Sequence, residues 1–219
     1  TQTGVGWSIG RTVPVVTQYP TIPSSTLEAF LQELSPWEAT LLEHVTLHQD
    51  LYTTPHCLQT GQACIGVSEG SVLGERGAFG WCLSQTDGTR LATGMGPAQG
   101  MAPSSYQAKG YGMLQLLDFI QTLRILWIHT TMPALYCDNL GLVQKLNSRL
   151  HCTTWYPNET ISSDWDVLQG IVSTIRQFPT HPVVLHVKGL QDDTATYDQL
   201  PLEAQLNIDA DTAANEYQD

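Results

Sequence analysis

The chain has 219 residues, 42% of them apolar, and a formal net charge of −12 at pH 7. No stretch of about 18 apolar residues occurs, so no membrane span is expected. The acidic balance argues against a non-specific nucleic-acid binder, which would present a basic stripe. All nine Lys and Arg precede residue 189, and the segment from Gly189 onward carries eight acidic residues and no basic one. That pattern fits a solvated acidic tail, a cation site, or both. The length suits one domain of about 150 residues plus an extension. The chain opens on Thr1 without a signal-peptide pattern, which reads as a fragment or a processed end. The five cysteines, Cys57, Cys64, Cys82, Cys137 and Cys152, form no C-x-x-C pair and are odd in number. They read as reduced core residues of an intracellular protein, which leaves the sequon at Asn158 without meaning.

Residues 1–23 are rich in Gly, Thr, Val and Pro without a helical period and read as a loose arm. Two capping boxes follow, Ser25 to Glu28 and Ser35 to Glu38, and predict helices near 26–34 and 36–48. On the second, His44 and His48 are four apart, but no third ligand is near, and an exposed helical pair is the simpler reading. The period then changes to alternation in QACIGVSEGSV, GAFGWCLS and TRLATGMG, with Asp87-Gly88 as the turn between the last two. These form an antiparallel meander. A helix is predicted near 105–126, then a short strand in PALYCDN and a helix in LGLVQKLNSR. A further helix capped by Ser163, a buried-type strand in PVVLHVKG and a helix from PLEAQLN to the end complete the chain. The order gives an α/β plan with one mixed sheet.

The helix near 105–126 has an apolar stripe of Met113, Leu116, Leu117, Ile120 and Leu123. Four residues before Met113 lies Lys109, on that stripe and in the first turn. Helix N-termini favour carboxylates over cations, and a buried ammonium needs a partner. Acidic residues meanwhile fall where strands end: Glu69 on the first strand, Asp138 on the fourth, with Asp209 and Asp211 on the last helix. Were the first and fourth strands neighbours, Glu69 and Asp138 would share one sheet edge. Gathered carboxylates repel and call for cations, and an all-oxygen set suits Mg²⁺. The plainer alternative is that each acid is simply solvated.

The strings VSEGSV, GAFGWCLS, TGMGPAQG, SYQAKGYGML, YCDN, HVKGLQDD and AQLNIDADTAA, in this order, resemble ribonuclease H of type 1. The resemblance is closer to the ribonuclease H region that follows reverse transcriptase in retrotransposon polyproteins. It divides the chain into an N-terminal arm and helical lead-in, 1–60, and a ribonuclease H-like domain, 61–219. It implies a mixed five-stranded sheet of order βββαβαβα with helices on both faces. It also implies a four-carboxylate site for two divalent ions. Three of those positions fall on Glu69, Asp138 and Asp211, and the fourth falls on Lys109; the family's loop His falls on Leu190.

Three functions follow from the resemblance and its departures. One is a degenerate, non-cleaving domain, a pseudoenzyme with weak binding of an RNA–DNA hybrid or other nucleic acid. The second is a metal-dependent endonuclease cutting the RNA strand of a hybrid, with Glu69, Asp138 and Asp211 holding Mg²⁺ or Mn²⁺. The third is a scaffold whose acidic C-terminal surface takes a basic protein partner; Trp155 and Tyr156 would supply an exposed apolar patch for it, although a loop core folded back on itself is the simpler reading of that pair. Lys109 is expected to pair with Asp138 and with Glu69 or Asp211, in the place of a metal ion.

Overall fold

A computed structural model describes residues 42–50, 53–60, 63–100, 103–126, 132–152, 164–189, 191 and 195–219, with isolated positions at 32, 36 and 39. The two capping boxes, Ser163, Leu190 and the Trp155-Tyr156 loop lie outside the described residues, apart from Pro36. The strands are β1 (Val45–Leu47), β2 (Cys64–Leu73), β3 (Arg76–Gln85), β4 (Arg90–Ala98), β5 (Ala134–Cys137) and β6 (Val184–His186). The helices are α1 (Thr53–Gln59), α2 (Ser105–Leu126), α3 (Leu140–His151), α4 (Trp165–Ile175) and α5 (Leu202–Gln218). Among the described residues, no helix is long and apolar enough to cross a membrane.

Among the described residues, one sheet of six strands runs in the order β1-β4-β3-β2-β5-β6. The β2–β3–β4 meander is antiparallel, and β2–β5–β6 are parallel. The predicted hairpin turn forms at Gly88, whose φ of 93° belongs to glycine's range, and Asp87 Oδ1 accepts the Thr89 N–H at 2.8 Å. Three expectations change. The sheet has six strands rather than five, because Val45–Leu47 pairs antiparallel with β4. The helix expected through residue 48 therefore gives way to a strand: pairing with β4 satisfies backbone groups that an isolated short helix would leave to water. His44 and His48 consequently do not share a helical face. His44 packs edge-on to Tyr217, and His48 Nε2 lies 3.0 Å from Thr93 Oγ1. Likewise PVVLHVKG supplies only a three-residue edge strand, with Val183 and Leu185 exposed.

Helices cover both faces. On one face α2 lays Met113, Leu116, Leu117, Ile120 and Leu123 on the sheet, all fully buried, and α4 packs against α2. Burial of each such side chain contributes about 1.5–3 kcal/mol. The indole of Trp81 is fully buried on this face and donates to Gln115 Oε1 at 2.6 Å, so its one polar atom is satisfied. On the other face α5 lies across β3 and β2, with Leu206 against Val67 and Cys82.

Two glycines set how near the helices come. A Cβ at Gly70 would stand 2.5 Å from the backbone of Ala108 and Lys109, and one at Gly80 would stand 2.1 Å from the Ala210 carbonyl oxygen. Their missing side chains let α2 and α5 sit directly on the strands, one on each face. Both approaches position the site described next.

Candidate functional site

The site lies where β5 ends beside β2. The parallel register pairs Ser68 with Cys137, so the next residues, Glu69 and Asp138, stand side by side. Sequence patterning placed Glu69 at a strand end. Instead β2 runs on to Leu73, because β3 continues to pair with it after β5 has stopped. Glu69 is thus held in mid-strand and is 5% exposed. Lys109 begins the second turn of α2, just past the first turn that Ser104 caps by accepting the Gln107 N–H at 3.0 Å. It is 8% exposed.

The close approach of α2 over Gly70 brings the Lys109 ammonium onto both acids. Nζ donates to Glu69 Oε1 and, at 2.5 Å, to Asp138 Oδ1. Burial works to depress the Lys109 pKa, but the two carboxylates outweigh it and hold the ammonium above its ordinary value. Burial raises the Glu69 carboxyl, the Lys109 charge opposes this, and the Asp138 charge adds to it; the result is pushed up to about 8. Near neutrality, then, one ammonium and roughly one proton balance two carboxyls. The second Glu69 oxygen, Oε2, is buried, and among the described residues it has no hydrogen-bond partner.

The neighbouring backbone is shaped to the same acids. A Cβ at Gly189 would lie 2.8 Å from Asp138 Oδ2, so the glycine of HVKG leaves room for that carboxylate. The Asn139 side chain caps α3 by accepting the Leu142 N–H at 2.9 Å, which fixes the chain leaving Asp138.

Asp211 and Asp209 go elsewhere. Asp211 is half-buried on α5, and its Oδ2 accepts from Asn215 Nδ2 at 3.0 Å. Among the described residues, Lys109 does not ion-pair with it. Asp209 closes a separate network: Arg90 Nε donates to its Oδ2 at 2.8 Å, and Tyr197 Oη donates to its Oδ1 at 2.7 Å. Arg90 also donates to Tyr197 Oη at 2.7 Å. This network was not legible in the sequence, since its members are as much as 119 residues apart. It fastens the start of β4 to α5. Among the described residues, no three His, Cys, Asp or Glu side chains are grouped to hold a metal ion.

No family model matches the chain, and no curated protein matches it in sequence. Solved structures do match. One is LC11-RNase H1, isolated from compost and crystallised in complex with an RNA/DNA hybrid; it is 12% identical over 70% of this chain and 94% of its own, with a TM-score of 0.50. Another is the prototype foamy virus protease-reverse transcriptase, 12% identical over 70% of this chain and 20% of its own, with a TM-score of 0.52. The fold is that of ribonuclease H. Within this ribonuclease H-like fold, the acid–lysine cluster sits at the end of β5, facing the first residues of α2.

Proposed function

We propose that this chain is a retroelement-derived ribonuclease H-like domain that has lost hydrolysis and binds nucleic acid only weakly. The observation that carries the reading is the Lys109 ammonium, bonded to both Glu69 and Asp138. The resemblance calls for carboxylates at all four positions around two divalent ions. Here one position is a cation, and it occupies the space between two of the remaining acids. A unit charge pair at about 4 Å is worth roughly 4 kcal/mol at an effective dielectric of about 20. Exchanging that attraction for repulsion of a dication disfavours metal binding by several times as much before screening. Glu69 further displaces its oxygens by a methylene relative to the family's Asp, against a tolerance of about 0.5 Å for catalytic constellations. The residues present therefore do not fit a two-metal site.

Weak binding follows from charge. Of the nine basic residues, Lys109 and Arg90 are engaged by carboxylates, in a chain of net charge −12. What remains is a short supply of cations for phosphate contacts. The decisive experiment incubates the purified chain with a labelled RNA–DNA hybrid and Mg²⁺ or Mn²⁺. No cleavage is expected. Metal-dependent turnover that Asp138→Asn abolishes would establish the endonuclease reading instead. Hybrid binding followed by fluorescence anisotropy is expected to be weak and to fall steeply with salt; a sub-micromolar Kd at physiological salt contradicts this half of the proposal.

A further inference from the structure

Far from the acid–lysine cluster, two cysteines share one corner of the core. Cys57 lies on α1 and Cys64 opens β2. They are 3% and 5% exposed and belong to the same hydrophobic cluster. Gln85 connects them. It is the cross-strand partner of Cys64, which places the two Cβ atoms about 5 Å apart. The Gln85 amide reaches from there to Cys57, donating from Nε2 to Sγ at 3.1 Å. Gln85 is thus a near neighbour of both cysteines. The titration of Cys64 reports the same proximity: after burial, the largest influence raising it is Cys57.

The other three cysteines are placed elsewhere. Cys82 faces the opposite side of the sheet, with Val67 and Leu206. Cys137 lies at the end of β5, where its sulfur accepts from the Asn139 N–H at 3.5 Å. Cys152 ends α3, at its C-cap. Cys57 and Cys64 are also separated by a short stretch of chain, so closing a ring between them costs little entropy.

We infer that Cys57 and Cys64 are a redox pair, which a small-molecule disulfide converts to an intrachain disulfide fastening α1 to β2. The two thiols have different roles. Cys57 is the attacking group, because burial and the Asp87 charge raise its thiol less far than burial raises the Cys64 thiol, which is pushed up to about 12, and because it is carried by a short seven-residue helix at the margin of the core. With glutathione disulfide as oxidant, the Cys57 thiolate attacks one sulfur and expels a glutathione thiolate, leaving a mixed disulfide. The Cys64 thiolate then attacks Cys57 Sγ and expels the second glutathione. One S–S bond forms and one breaks. The two protein thiols are oxidised, the reagent is reduced to two thiols, and the two protons pass to them.

The test uses the full chain, folded, at pH 8, with glutathione disulfide as the probe and mass mapping under non-reducing conditions. The expected product is lighter than the reduced chain by two hydrogen atoms, with Cys57 joined to Cys64. Cys64→Ser should stop at the glutathione adduct on Cys57. Cys57→Ser should leave Cys64 unmodified, while Cys82→Ser should crosslink as the parent does. Absence of a Cys57–Cys64 crosslink in the folded parent overturns the inference, as does a disulfide that joins either residue to one of the other three cysteines. Because the parent alone decides this, a misfolded variant leaves the result standing.

Discussion

Replacing Lys109 by Met tests whether the ammonium holds the site together. Met keeps most of the length and removes the charge. In the parent, Nζ serves Glu69 and Asp138 at once, from a position 8% exposed. Removing one partner of a buried pair costs about 3–5 kcal/mol, because the remaining charge is left without compensation. Here the loss is divided by protonation. The Glu69 carboxyl already stands at about 8, and without Lys109 it rises further. An acid whose folded pKa is raised favours folding below its unfolded value, near 4.5, and loses that contribution as pH climbs through the folded value. Through pH 5 to 7 Glu69 holds its proton in both proteins, so in that range the variant loses chiefly the ion pair with Asp138. It should be weaker than the parent by about 3 kcal/mol at pH 5 and by no less at pH 8, where the parent's Glu69 begins to ionise against Lys109, a fall in Tm of roughly 6–12 °C for a domain of this size. Urea melts of both proteins at the two pH values measure this. Added Mg²⁺ should recover part of the loss in the variant by mass action and leave the parent unchanged. A Lys109→Met protein that melts with the parent at both pH values, and ignores Mg²⁺, refutes the view that Lys109 neutralises a buried acidic pair.

Glu69→Asp combined with Lys109→Glu should restore the ligand set that the resemblance implies, and with it a Tm that rises on adding Mg²⁺; Leu190→His should then raise hybrid turnover. No metal-dependent shift in the double variant would mean that these positions are misassigned. Gly80→Ala should destabilise by about 1–3 kcal/mol, since the added carbon meets the Ala210 carbonyl and pushes α5 off the sheet; an unchanged urea midpoint contradicts that packing. Burial pushes the thiols of Cys64, Cys82 and Cys137 up to about 12. Neutral thiols are thus favoured in the fold, so stability holds below the unfolded value near 9 and is lost as pH rises toward 12, by about 1.4 kcal/mol per pH unit for each thiol that titrates. Urea midpoints at pH 8 and pH 10 should differ accordingly, and Cys82→Val should flatten the slope.

Periodicity alone determined much of this protein. The 3.6-residue stripe from Met113 to Leu123 located α2, and the side chains of that stripe are buried. Alternation and Asp87-Gly88 located the meander, because turn chemistry and a two-residue period are local properties of the chain. Lys109 stood out for the same reason: a cation breaks an apolar stripe whatever lies opposite. What lies opposite is a matter of register and contact between distant segments. Only the parallel pairing of Ser68 with Cys137 sets Glu69 beside Asp138, and only Gly70 lets α2 come near enough for one ammonium to reach both. The sheet's sixth strand and the Arg90–Tyr197–Asp209 clasp were hidden likewise. A three-residue strand carries too little pattern to outweigh a capping box, and its existence depends on β4 offering an open edge. Asp211, placed by motif beside the other acids, instead turns to Asn215 one helical turn away. Spacing in sequence puts a residue on a helix face, but the contacts between distant segments decide where its side chain finds a partner.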